Sequence, residues 1–314
     1  MQLSRNAVSL TSIQEFTLSN NIFKNEAARK RMENWYQRFL GRIDGEISSK
    51  EISTSYGESH VLMIGDPSKS PLVCLHAMMT SSAHLASELD TLLDQFYIIA
   101  PDLPGQSIRG IPARLAYTEN SHVQWLLEIL DGLNLQQIHL LGISLGGFVA
   151  RQFASSNPGR VKSLVLIVPA GIAQGSLVKG FAKMALPMIM YKINPSDNNL
   201  RKLVNPLITT WDEDWARYLG DSFNDFSTNL EIPPVASDDE LKNLNMPCLV
   251  IGAEDDISFP GKKVIERTET HIPNVKTELI KNSRHCPPTT PEFRKWLGKR
   301  VKTFIKRLNG LPAH

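Results

Sequence analysis

The chain is 314 residues long, 42% hydrophobic and 21% charged, with 34 Lys and Arg against 32 Asp and Glu for a net charge of +2. That length suits one large domain with an insertion or two average domains, and the composition excludes disordered and collagen-like chains. Balanced charge removes the cation excess that a polyanion partner needs, so no nucleic-acid binding is expected, and basic runs such as Arg29-Lys30-Arg31 and Lys299-Arg300 read as solvated helix faces.

Residues 1–24 are polar and irregular and contain no continuous apolar segment of the secretory type. Asn25 to Leu40 reads as an accessory helix, with Ala27, Met32, Trp35, Tyr36, Phe39 and Leu40 on one apolar face. Glu51–Tyr56 and His60–Ile64 are strand-like and predict a hairpin turning at Gly57-Glu58-Ser59. From Pro71 the pattern changes. Short, continuously apolar runs at Leu72–Leu75, Tyr97–Ala100, Ile138–Leu141 and Leu164–Val168 alternate with helical segments at Ser82–Leu93, Asn120–Leu133 and Leu145–Ser156. Continuous hydrophobicity suits strands covered on both faces, and the alternation predicts a mostly parallel, doubly wound α/β sheet.

The rhythm stops between about residues 172 and 240, a Met- and Trp-containing helical stretch. It resumes with a strand at Cys248–Ile251, a helix near Gly261–Thr270, a strand at Thr277–Ile280 and a last helix at Pro291–Leu308. The expected organisation is an N-terminal extension over 1–49, a core formed by 50–171 and 241–314, and a helical insertion over 172–240. No run approaches the ~20 apolar residues of a membrane span, so a cytoplasmic protein is expected. The three cysteines, Cys74, Cys248 and Cys286, are too few and scattered for a disulfide framework or a CxxC metal site, so neither a metal nor a cofactor is expected. Cys74 and Cys248 read as buried strand residues, and Cys286, beside His285, is a weaker nucleophile candidate than a serine described next.

Gly142-Ile143-Ser144-Leu145-Gly146 is a GxSxG pentapeptide extended by Gly147. Chance supplies such a pattern in roughly one chain in ten of this length, so its position matters more than its presence. It stands where an apolar strand runs straight into a helix, a turn sharp enough to need small residues on either side and to expose Ser144 at the sheet edge. The helix N-terminus there offers backbone N–H groups and a positive dipole end to a developing oxyanion. A serine hydroxyl also needs a base and an orienting acid. Among eight histidines, His285 stands just after the last predicted strand, whereas His271 ends a helix, His314 is terminal and the other five precede the insertion. The strand Cys248–Ile251 runs into Glu254, Asp255 and Asp256, where Gly-x-x-Asp spacing favours Asp255 over Asp256, with Glu254 third; Pro169-Ala170-Gly171, after the preceding strand, offers no acid.

Together these residues resemble the α/β-hydrolase superfamily from about residue 50 to the C-terminus, and within it the carboxylesterases with a helical cap. The motifs are His76-Ala77, Asp102-Leu103-Pro104-Gly105, Gly142–Gly147, Gly252-Ala253-Glu254-Asp255 and Arg284-His285. The resemblance implies a triad of Ser144, Asp255 and His285, with an oxyanion hole formed by the backbone N–H groups of Leu145 and Met78. It also implies that Asp102 holds a turn. Ala77 departs from the family's glycine and is expected to disturb the oxyanion turn if that position needs a positive φ. Leu177, Val178, Phe181, Met184, Ala185, Leu186, Met188, Ile189, Met190, Tyr191, Trp211, Trp215 and Tyr218 could wall an apolar acyl pocket or simply hold the insertion onto the core. The function implied is hydrolysis of a small-to-medium carboxylic ester with an apolar acyl group through an acyl-enzyme. Carbon–carbon bond hydrolases, thioesterases and lactonases share the triad, and a non-enzymatic receptor for a small ligand shares the fold. Epoxide hydrolases and dehalogenases would need aspartate at 144.

Overall fold

The computed structural model describes residues 22–175, 177–227 and 231–308. Eight strands form one sheet: β1 (Ile47–Thr54), β2 (Gly57–Ile64), β3 (Ser70–Leu75), β4 (Phe96–Pro101), β5 (Ile138–Ile143), β6 (Val161–Ile167), β7 (Cys248–Ala253) and β8 (Val275–Ile280). Their spatial order is β1-β2-β4-β3-β5-β6-β7-β8, with β2 antiparallel to both neighbours and every pairing from β4 to β8 parallel. The hairpin differs from expectation in its turn. Thr54 pairs with Gly57, so Ser55 and Tyr56 make the turn and Glu58 and Ser59 already belong to β2.

The apolar runs divide between two cores because successive strand residues point to opposite faces. Val73, Leu75, Leu140, Leu164 and Leu166 join one core with Trp125, Phe148 and Phe153. Leu72, Cys74, Leu141, Val165 and Ile167 join the other with Phe39, Leu89 and Val301. Covering the sheet are α2 (Ser82–Glu88), α3 (Ser121–Gly132), α4 (Leu145–Ser156), α9 (Gly261–His271) and α10 (Pro291–Leu308), while α1 (Glu26–Leu40) packs on α2. The helix expected through Leu93 stops at Glu88, and a single 3₁₀ turn at Asp90–Leu92 follows.

Between β6 and β7 the described residues form α5 (Leu177–Ile193), α6 (Asp197–Val204), α7 (Glu213–Asp225) and the short α8 (Asp238–Lys242). The accessory helix α1 is tied to α7. Arg31 grips Asp225 through Nε and Nη2 at 2.8 and 2.6 Å, Trp35 Nε1 donates to Asp221 at 2.8 Å, and the Phe39 and Tyr218 rings meet at 5.0 Å. Asn25 caps α1 by accepting the Ala28 N–H at 2.9 Å. Among the expected pocket residues, Trp215 and Tyr218 are buried against this assembly, with Trp215 stacked on His84 at 4.1 Å, so both serve as packing. Leu186 and Ile189 face solvent, and the side chains of Leu177, Val178 and Phe181 lie outside the described residues.

Candidate active site

Ser144 stands between the last residue of β5 and the first of α4 with φ 53° and ψ −112°, a conformation that costs a non-glycine residue about 1–3 kcal/mol. Neighbouring backbone holds it there. Its N–H donates to Ile167 O at 3.0 Å, and its carbonyl accepts from Ala170 N at 3.0 Å and Phe148 N at 3.1 Å. A Cβ on Gly142 would collide with the Gly146 carbonyl, and one on Gly146 with the carbonyls of Leu75 and His76. The two motif glycines are therefore demanded by close backbone approach at a crowded strand-to-helix turn.

His285 arrives on the loop after β8, and its Nε2 lies 2.9 Å from Ser144 Oγ. Its Nδ1 lies 2.7 Å from Asp256 Oδ2. An ionised carboxylate can only accept, so Nδ1 carries the proton and Nε2 is left to accept the serine hydroxyl. Asp256 is fully buried at its side chain, and its other oxygen accepts the N–H groups of Ser258 and Phe259 at 2.7 and 3.0 Å. Burial lowers the His285 pKa, but the charge and hydrogen bond of Asp256 outweigh it and raise the imidazole above its ordinary value.

The acid on the histidine is thus Asp256, not the Asp255 expected from Gly-x-x-Asp spacing. The cause lies in the turn. Strand β7 runs through Ala253, and a turn closed by the Asp256 N–H on Ala253 O sends Asp256 back beneath His285. Asp255 is left on the outside, exposed, with its N–H on Ser283 O at 2.8 Å. Glu254 is also outside, paired with Lys262 at 2.8 Å. Asp255 borders a cleft of about 530 Å³ together with Lys183, Asn205, Pro206, Ile257 and Arg284. Its lining carries three charged side chains, Lys183, Asp255 and Arg284, and includes neither Ser144 nor His285. A second groove, along α9 and β8, is lined by Lys262, Glu266 and Glu269 and includes neither Ser144 nor His285.

Of the two expected oxyanion donors, Leu145 directly follows Ser144 and Met78 lies in the turn after β3, the strand paired with β5. Leu145 is the first residue of α4, where helix N–H groups have no intrahelical acceptor, and no hydrogen bond among the described residues engages the N–H of Leu145 or Met78. Met78 follows β3 in a turn held from three sides: Thr80 N–H on Ala77 O at 3.3 Å, Met79 N–H on Gln106 Oε1 at 3.2 Å, and the buried His76. His76 Nε2 accepts the Leu103 N–H at 2.9 Å, so its Nδ1 carries the proton and donates to Ala77 O at 2.8 Å. The positive φ of this turn, 53°, falls on Met79 and not on Ala77, which is why alanine is accommodated without a glycine.

Cys286, next to the histidine, is not an activated thiol. Burial first, then the nearby Asp256 charge, push its pKa up to about 12. Among the described residues no three His, Cys, Asp or Glu side chains converge on one point as metal ligands would. No described helix is long and apolar enough to cross a membrane.

A family model for the alpha/beta hydrolase fold matches residues 70–204. The chain is similar to the uncharacterized carboxylesterase nap of Bacillus subtilis, 26% identical over 281 residues spanning 88% of this chain and 92% of that protein. It is likewise similar to carboxylesterase YbfK of the same organism, 27% identical over 281 residues, 86% of this chain and 92% of that one. Among solved structures, naproxen esterase (carboxylesterase NP) of Bacillus subtilis superposes with a TM-score of 0.75 at 25% identity, over 88% of this chain and 97% of that chain.

Proposed function

We propose that this chain, which belongs to the α/β-hydrolase superfamily, is a serine esterase cleaving small-to-medium carboxylic esters with an apolar acyl group through an acyl-enzyme. One observation carries the reading: Ser144 Oγ, His285 and Asp256 form a continuous relay at 2.9 and 2.7 Å, with the histidine in the middle. The similarity to two Bacillus subtilis carboxylesterases over most of their length supports an ester as the substrate.

In this mechanism Ser144 Oγ attacks the ester carbonyl while His285 Nε2 takes its proton. Asp256 stabilises the resulting imidazolium through the Nδ1 bond. The N–H groups of Leu145 and Met78 receive the tetrahedral oxyanion, a role worth about 3–4 kcal/mol per donor in comparable sites. The imidazolium then protonates the departing alkoxide, releasing the alcohol and leaving the acyl group on Ser144. Water, deprotonated by His285, attacks the acyl carbonyl and releases the acid. We assign residues 172–240 as a cap over a core of 50–171 and 241–314, with 1–49 as an extension whose helix α1 braces the cap through α7.

The reading is tested by turnover of p-nitrophenyl esters of graded acyl length. Wild type is expected to turn over, and Ser144→Ala to lose about 10⁶-fold in kcat. Undiminished turnover by Ser144→Ala would reject it, and ligand binding without any wild-type turnover would favour a receptor.

A further inference from the structure

The loop that carries His285 is bonded to the insertion on both sides of the histidine. The Cys286 N–H donates to Leu207 O at 2.8 Å and the Thr209 N–H to Cys286 O at 3.1 Å, a parallel bridge centred on Ile208 and Cys286. One side chain then reaches both peptide neighbours of the histidine. Thr209 Oγ1 accepts the Arg284 N–H at 2.9 Å and donates to Cys286 O at 2.7 Å. Arg284 closes the junction by placing Nη1 on Asn205 O at 2.7 Å and Ile208 O at 2.9 Å.

His285 lies in a loop without regular structure, between two prolines at 287–288 and a positive-φ residue, Asn282. A loop of this kind needs outside contacts to fix a side chain to within the few tenths of an ångström that proton transfer requires. On the core side, the Asp255 N–H on Ser283 O and the Asp256 carboxylate supply two. On the insertion side, the Thr209 hydroxyl holds the Arg284 N–H and the Cys286 carbonyl, and Leu207 O holds the Cys286 N–H.

We infer that Thr209, contributed by the insertion, is a positioning residue for His285, so that the catalytic base is aligned only while the 205–209 segment is seated on the core. This rests on the serine-esterase reading above. It makes the insertion part of the catalytic framework: a displacement of the 205–209 segment would loosen the base.

The test uses the full chain with Thr209→Val, which keeps the side-chain shape and removes the hydroxyl, and Thr209→Ser, which keeps the hydroxyl. Turnover of p-nitrophenyl acetate and the rate of fluorophosphonate labelling are measured together. Thr209→Val is expected to lower kcat and labelling rate about 10–100-fold with KM within about threefold, and Thr209→Ser to recover to within about threefold of wild type. Should the valine variant not fold, Thr209→Ala supplies the same loss of hydroxyl. If Thr209→Val melts earlier but labels and turns over as wild type does, Thr209 is merely structural and the inference fails. If wild type itself is not labelled on Ser144, the esterase reading fails instead, so the two failures are distinguishable.

Discussion

His285 bonds Asp256 through Nδ1 at 2.7 Å, and His60 bonds Asp102 through Nδ1 at 2.9 Å, with both carboxylates fully buried and a serine hydroxyl within reach of each pair. The difference is which group stands in the middle. In the first, the histidine lies between serine and carboxylate, so a proton leaving Ser144 has an acceptor whose charge Asp256 then stabilises. In the second, the carboxylate is central: Asp102 receives Ser82 Oγ at 2.7 Å, the Ser82 N–H at 2.9 Å and Ser107 Oγ at 2.5 Å as well as His60. Burial raises the Asp102 pKa, but the His60 bond, the nearby histidines and Ser107 outweigh it and hold the carboxyl below its usual range. Such a centre pins the turn after β4 to β2 and α2. Its serines donate to a group that has no further proton to pass, so the same three residue types make an anchor and not a relay.

Substitution at the two carboxylates separates these roles most sharply. Asp256→Asn is expected to lower kcat about 10³–10⁴-fold by leaving the imidazole in the wrong tautomer, while Asp255→Asn stays within about threefold; the reverse ranking in ester turnover would return the acid to 255. Asp102→Asn should instead cost about 3 kcal/mol in urea unfolding and leave kcat per folded molecule within about tenfold, because it breaks a buried network that does not touch the reacting atoms.

The histidines also divide by pH. As the proposed base His285 must be neutral to act, and its raised pKa would place the acidic limb of kcat/KM above the ordinary imidazole value of 6.5. The same shift stabilises the fold below that value, a contribution lost as pH rises through the raised one. Asp256→Asn removes the cause and should move the limb down. His84, His122 and His139 shift the other way, to about 3, 4 and 4, because burial disfavours their charged form. They are neutral in the fold and gain protons on unfolding below about 6.5, so each should cost on the order of 1 kcal/mol of stability per pH unit as pH falls from there toward 4. Urea titrations at pH 7, 6 and 5 read this directly, and a flat result would contradict it.

Much of this was legible in the sequence where chemistry is local. Leu72–Leu75 and Leu164–Val168 declared buried strands because both faces of the sheet are covered, and Ser144 stood out because only a strand-to-helix turn needs glycine two places either side. His285 followed from chain order. Asp256 did not, since three adjacent acids differ only in how the turn after Ala253 rotates them, and that rotation depends on backbone bonds to the β8 loop. The hairpin turn slipped for a similar reason: Gly57 looked like a turn residue but begins a strand. Thr209 carried no signal at all, because its partners Arg284 and Cys286 lie far along the chain and meet it only when the insertion folds back.

If Ser144, His285 and Asp256 act as one relay, intact-mass and peptide mapping after reaction with a fluorophosphonate reads it out most directly. A single adduct on Ser144 is expected, formed rapidly by wild type, slowed about 10³-fold or more by Asp256→Asn, and left near the wild-type rate by Asp255→Asn. Rapid labelling that persists in Asp256→Asn, or an adduct on any residue other than Ser144, would contradict it.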